Sequence, residues 1–302
     1  MRIKTGRDGT FMKFGIYSQY FQRGWDGSFE TYEKVIPKIA GLGFDLLEIL
    51  TTDLMGMDKS QQDRLLKLGR DHGVCLTAGG GMGQAYDISS DDASVRENGV
   101  RRFLSFLPTL HRMGIQKICG LLYSYWMYDY SRPVQKSQAW SRSAACMREM
   151  ADAARDCDVT IMLEPVNRYE NFLINTASEA VQYVEEVGRS NVKIQLDTCH
   201  MNIEEDSMGG AIRTAGTHLG HMHICEGNRK LPGTGALPWR EMARALREIG
   251  YSGDFVMEPF VLCGCEVGDT MYLFHDLSGG ADDAQLAKDA ADSLRFVKTL
   301  FT

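Results

Sequence analysis

The sequence predicts an α/β protein folded as a single (β/α)₈ TIM barrel, eight parallel strands ringed by helices. The first observation behind this is a rhythm in which an amphipathic helical run ends near a glycine and a short β-rich run follows. AGLG leads into FDLLEIL at 44–50, RDHG into VCLTAG at 74–79, and HRMG into IQKICGLL at 115–122. EEVGRSN leads into VKIQLD at 192–197, and REIGYSG into DFVMEPF at 254–260. Glycine just past a helix end takes the left-handed backbone that other residues resist, so these are helix-to-strand junctions. The second observation is the count. KFGIY at 13–17, VTIMLE at 159–164 and LGHMHIC at 219–225 bring the strands to eight, and eight β-then-α units in about 290 residues fit a barrel of this kind. The third is negative: the first strand lacks the GxGxxG turn of a dinucleotide-binding, doubly wound sheet.

Helical patterns separate the strands. Thr176 and Glu179 form a capping box that opens a helix ending near Gly188. Leu286, Ala290, Leu294, Val297 and Leu300 form an apolar stripe on the last helix. Pro37 and Pro108 fall inside helical patterns, where a proline is expected to kink or end the helix. No low-complexity run or linker marks a boundary, so one barrel domain is expected over 12–302. Residues 1–11 are polar, precede a second methionine at Met12, and read as an N-terminal extension.

Composition removes several classes of function. Among 302 residues, 44% are apolar and 24% charged, the balance of a globular protein. A net charge of −7 without basic runs is wrong for a nucleic-acid partner, whose affinity rests on lysine and arginine neutralising phosphates. No apolar run reaches the roughly 18 residues of a membrane span, and no secretory leader is evident. The eight cysteines lie mostly inside strand or helix patterns, which predicts reduced thiols and a cytoplasmic protein. The Cys263–Cys265 pair has no second Cys or His pair nearby to make a metal site.

The last four strands end alike, on Glu164, Asp197, His223 and Glu258. Side chains alternate across a strand, so Val192, Ile194 and Leu196 face outward and Asp197 faces into the barrel. The same parity turns Glu164, His223 and Glu258 inward, above Met162, His221 and Val256. That end of a barrel is where active sites are built. A single strand-end acid is ordinarily just solvated, but four successive strands of matching parity are a constellation. Three carboxylates and an imidazole would repel without a counter-charge, and one divalent metal ion resolves this. An oxygen- and nitrogen-donor set without thiolate favours Mn²⁺, Mg²⁺ or Co²⁺ over a structural Zn²⁺ site. Glu170, His200 and Arg229 follow these donors on loops overhanging the same mouth, placed to touch an oxygen-rich substrate. His221 reads as core or as a support behind the donors and not as a ligand, His218 as preceding its strand, and His72, His111 and His275 as structural. Cys225 shares the parity of His223 and is expected at the rim.

IMLEPVNRYEN, QLDTCHMNIEEDSMGGAIRTAG, GHMHICEGNRK and VMEPF together resemble the D-psicose (D-allulose) and D-tagatose 3-epimerases, within the xylose isomerase-like barrels. The likeness runs from about Met12 to the C-terminus and is densest over 159–260. It implies that Glu164, Asp197, His223 and Glu258 bind one Mn²⁺ or Co²⁺ per subunit, and that Glu164 and Glu258 are also the acid/base pair. Glu170, His200 and Arg229 would contact substrate oxygens, and Tyr17, Trp126 and Phe260 would line the sugar pocket. A homodimer or homotetramer acting on a small ketose is implied as well. The chain departs from the pattern at Phe21, at the glycine-rich loop GGGMGQAYD, and around ILTTDLMG. These departures leave the chemistry intact and bear on sugar preference.

The implied reaction removes the C3 proton of a ketose and returns it to the other face through a cis-enediolate. Substrate pairs such as D-fructose/D-psicose, D-tagatose/D-sorbose or L-ribulose/L-xylulose fit it. Aldose–ketose isomerisation and inosose dehydration need the same kind of site; the spacing from His223 to Arg229 and the DTCH run favour the epimerase. A non-catalytic sugar-binding relative would have lost one glutamate. An endonuclease IV-type barrel would want more partnered histidines than these seven supply.

Overall fold

Gly43, Gly73, Gly114 and Gly188 end their helices with φ between 65° and 95°, the left-handed backbone expected of them at the junctions. They do so in a computed structural model that describes residues 12–131 and 133–301. The extension expected over 1–11 lies outside the described residues.

The chain opens with β1 (Phe14–Tyr17), α1 (Phe29–Leu42), β2 (Leu46–Leu50), α2 (Thr51–Gly56), α3 (Lys59–His72) and β3 (Cys75–Gly79). Next come α4 (Ala93–Met113), β4 (Lys117–Gly120), α5 (Lys136–Asp156), β5 (Thr160–Leu163) and α6 (Ala177–Val187). Then follow β6 (Val192–Asp197), α7 (Thr198–Glu204), α8 (Met208–Ala215), β7 (Leu219–Ile224) and α9 (Trp239–Glu248). β8 (Asp254–Met257), α10 (Glu266–Thr270) and α11 (Asp283–Phe301) complete it. The strands form a closed barrel in sequence order, β1 to β8, with parallel pairing. No helix among the described residues is long and apolar enough to cross a membrane.

The described residues fall into two compact units, bounded as Met1–Thr77 with Met222–Thr302, and Ala78–His221. In the first, β1 pairs with both β2 and β8, aligning Gly15 with Leu46 and Phe14 with Phe255. Phe255 stacks on Phe14 at 5.4 Å and on Phe301 at 4.5 Å, fastening α11 beneath the strands. The α11 stripe is buried at Leu286, Ala290, Leu294 and Val297, and Phe301 completes it where Leu300 is only half-buried. In the second unit, Tyr123 and Tyr183 pack at 6.2 Å, and Ser143 Oγ bridges the Tyr123 carbonyl and the Tyr183 hydroxyl.

Three expectations need correcting. Pro37 and Pro108 neither end nor interrupt α1 and α4. In α4, the buried residues Phe103, Phe106, Leu107, Leu110 and Met113 run past Pro108 on both sides. Packing of that face outweighs the one backbone bond a proline forfeits. Glu164 and Glu258 also lie one residue beyond β5 and β8. Their amides stay tied to the neighbouring strand, Glu164 N to Gly120 O and Glu258 N to Ile224 O, both at 3.1 Å. At α6, Thr176 caps the Glu179 N–H as expected, but the Glu179 carboxylate accepts from Asn175 N.

Gly120 closes β4 with φ 114°, and a Cβ there would sit 2.4 Å from the Gly80 carbonyl oxygen. Gly120→Ala is therefore expected to cost at least about 2 kcal/mol, read from the denaturant midpoint at unchanged slope. A midpoint equal to that of the parent would contradict this account.

Candidate active site

The first unit carries His223, Glu258 and Arg229. His223 points inward near the end of β7 and is buried. Its Nε2 lies 2.7 Å from Oε1 of Glu48, a fully buried carboxylate in the middle of β2. Thr77 Oγ1 donates to the other oxygen of Glu48 at 2.9 Å. With a carboxylate as its neighbour, Nε2 is the protonated nitrogen and Nδ1 keeps the lone pair. Nδ1 lies 3.4 Å from Glu258 Oε2. Arg229 Nη1 donates to that same Glu258 oxygen at 2.7 Å.

The loop after β7 holds Arg229 in an unusual backbone state, φ 63°. Its amide donates to Glu226 O, and its carbonyl accepts from Phe260 N, both at 2.9 Å. The guanidinium stands 5.8 Å from the Phe260 ring centre, and Nη1 also reaches Cys225 Sγ at 3.5 Å. Glu226 anchors the loop from within, its buried carboxylate accepting from Gly233 N, Leu237 N and Trp239 Nε1. Tyr17 and Phe260 share an apolar cluster with Leu46, Val256 and Val267. Burial, then the charges of Glu258 and Glu48, hold the Tyr17 hydroxyl well above the usual phenol range, so it stays protonated.

The second unit carries Glu164, Asp197, His200, Glu170 and Trp126. Asp197 ends β6 and caps α7, its Oδ1 accepting from Cys199 N at 2.6 Å and His200 N at 3.2 Å. This places His200 in the first turn of the helix, buried. Asn167 sends both its backbone N–H (3.3 Å) and Nδ2 (2.9 Å) toward His200 Nδ1. His200 is thus a neutral imidazole that carries its proton on Nε2. Asn167 Nδ2 also donates to Glu170 Oε1 at 2.8 Å, and Trp126 Nε1 donates to Glu170 Oε2 at 2.7 Å. Trp126, Glu170, Asn167 and His200 form one hydrogen-bonded chain. Tyr123 fixes the backbone of Glu164, its hydroxyl donating to the Glu164 carbonyl at 2.9 Å.

One donor atom each from Glu164, Asp197, His223 and Glu258 lie within 4.8 Å of one another. Among the described residues it is the only such group with four donors and the only one free of cysteine. Oxygen donors with a single imidazole suit a hard or borderline divalent ion. Glu48 at the remote nitrogen of His223 is the outer partner that metal-binding histidines ordinarily have. The residues fit a divalent cation.

Sequence reasoning passed over Glu48, Thr77 and Asn167. Glu48 did leave a signal, a lone acid in the otherwise apolar LLEIL. Asn167 left none, since an asparagine in a loop is ordinary. His221 is fully buried in β7, and His218 precedes that strand, as expected.

This chain belongs to the xylose isomerase-like TIM barrel family, whose model matches residues 36–299. Its relatives within that family include sugar epimerases. A D-psicose 3-epimerase of Ruminiclostridium cellulolyticum is 45% identical over 94% of this chain and 96% of its own length. An L-ribulose 3-epimerase of Methylomonas is 31% identical over 91% of this chain and 94% of its own. The crystal structure of the D-psicose 3-epimerase from Clostridium cellulolyticum H10 with D-tagatose superposes with a TM-score of 0.91 at 44% identity. It covers 96% of this chain and 99% of that one.

Proposed function

We propose that this chain is a metal-dependent ketose 3-epimerase that interconverts D-fructose and D-psicose, with Glu164 and Glu258 as its acid/base pair. The carrying observation is the convergence of Glu164, Asp197, His223 and Glu258 onto one small volume. Identity to a D-psicose 3-epimerase (45%) above that to an L-ribulose 3-epimerase (31%) favours a hexulose over a pentulose.

A divalent cation, Mn²⁺ by preference, would supply Lewis-acid stabilisation of the negative charge that develops beside the ketose carbonyl. The protein's own residues do the rest. One glutamate takes the C3 proton and the other returns a proton to the opposite face, the order set by which epimer is bound. Arg229, fixed by Glu258 and Phe260, holds its positive charge against the carboxylate and is available to substrate oxygen. His200 acts as a neutral donor through Nε2, a role secured by Asn167 on the other nitrogen. Glu170 accepts sugar hydroxyls while Trp126 orients it, and Tyr17 and Phe260 supply an apolar wall. Assembly as a homodimer or homotetramer in the cytoplasm completes the reading. It is supported by the family resemblance and by eight cysteines that are all free thiols.

The test is incubation of chelator-stripped protein with D-fructose in D₂O, with and without Mn²⁺. D-psicose carrying deuterium at C3, formed only with metal, is the expected product. An aldose product carrying deuterium at C2, with deuterium at C1 of the recovered ketose, would make the chain an isomerase, and no turnover of any ketose by metal-loaded protein would end the epimerase reading.

A further inference from the structure

We infer that Glu48 is a positioning residue, which holds His223 as its Nε2–H tautomer so that Nδ1 presents a lone pair to the cation. The inference rests on the proposed metal site and adds a residue to it. Glu48 is the only charged side chain in β2 and is 0% exposed. A carboxylate so placed is strongly disfavoured unless specific donors meet it. Both of its oxygens are met, Oε1 by His223 Nε2 at 2.7 Å and Oε2 by Thr77 Oγ1 at 2.9 Å. Thr77 thereby sets the rotation of the carboxylate, and the carboxylate sets the ring.

The direction of the ring decides the chemistry. Neutral imidazole has one donor nitrogen and one acceptor, and only the acceptor can ligate a metal. The nitrogen bonded to Glu48 is spoken for, and the other lies on the side of Glu258, 3.4 Å from its Oε2. A carboxylate at the remote nitrogen also makes the ligating nitrogen more basic. A purely structural Glu48 would need a donor but would be indifferent to which ring nitrogen supplied it.

Three variants separate these roles. Glu48→Gln keeps the shape and an acceptor oxygen but loses the charge, Glu48→Leu removes the acceptor, and Thr77→Val removes the hydroxyl that orients the carboxylate. Two quantities are measured on folded, chelator-stripped protein: Mn²⁺ affinity from the free-Mn²⁺ EPR signal, and the His223 tautomer by ¹⁵N NMR of histidine-labelled chain. Glu48→Leu is expected to weaken Mn²⁺ binding about 10–100-fold, with Glu48→Gln and Thr77→Val intermediate. The metal-free ring should be Nε2–H in the parent and a tautomer mixture in Glu48→Leu. Parent-like Mn²⁺ affinity in folded Glu48→Gln and Thr77→Val would overturn the inference, as would an Nδ1–H ring in the metal-free parent. A parent that binds no Mn²⁺ would overturn the metal reading itself, which the tautomer measurement keeps distinct.

Discussion

Glu164→Gln and Glu258→Gln, made singly, are each expected to lower epimerisation by roughly 10²–10⁴-fold, the range over which a positioned acid/base group contributes. Glutamine preserves the side-chain length and can still offer an oxygen, so the local structure should survive. At Glu258, the Arg229 guanidinium that now donates at 2.7 Å would find the amide oxygen in the same place. At Glu164, the backbone is fixed independently by Tyr123 and by the Gly120 carbonyl. What each variant loses is the ability to accept a proton, and with it one of the three carboxylate charges that face the cation, so both are assayed with Mn²⁺ at saturating concentration. Epimerisation needs both faces of C3, so either change alone should stop it. Exchange of the C3 hydrogen with solvent needs only one base, and should survive in each variant from one epimer only. The surviving epimer should differ between the two variants. Mass spectrometry of D-fructose and D-psicose recovered from D₂O reads this directly. Exchange from both epimers in either variant would mean that a single base serves both faces, and the two-glutamate scheme would fall.

That pair of glutamates was readable from the chain because strand parity is rigid. Alternation turns Asp197 and His223 inward within β6 and β7, and the ladder bonds of the Glu164 and Glu258 amides carry the same parity one residue past β5 and β8. The helix ends were readable for a similar reason, since Gly43, Gly73, Gly114 and Gly188 adopt a backbone that few other residues take. The prolines misled because their cost is local, one lost bond each, whereas helix length is set by the packing of a whole face. Glu48 stayed hidden for a different reason. Its partners, Thr77 and His223, are 29 and 175 residues away, so the chain shows an acid in an apolar strand and nothing that justifies it. Asn167 is subtler still. It sets the tautomer of His200 across 33 residues, and only coordinates can reveal which ring nitrogen a loop amide meets.

Chelator-stripped protein is expected to show no measurable epimerisation and to melt several degrees below the Mn²⁺-loaded form. Glu164, Asp197, His223 and Glu258 bring donor atoms within 4.8 Å of one another, three of them from carboxylates. Two like charges about 4 Å apart repel by about 4 kcal/mol at an effective dielectric of about 20, so the metal-free cluster opposes folding. A cation at about 100 times its dissociation constant adds about 2.7 kcal/mol to the folded state. For a chain of this size that is a rise of roughly 4 °C in melting temperature. Asp197 tests the origin of the shift because it has two duties, a metal donor and the cap of α7 through Cys199 N and His200 N. Asn caps a helix as well as Asp does, so Asp197→Asn should keep the helix and His200 in place while losing the charge. Its metal-free form should melt no lower than the metal-free parent, and Mn²⁺ should raise it far less. If Mn²⁺ stabilises Asp197→Asn as much as the parent, Asp197 is a cap and not a ligand. A metal-free Asp197→Asn protein that melts well below the metal-free parent would instead mean that the carboxylates do not repel one another, and the electrostatic account of the site would have to be given up.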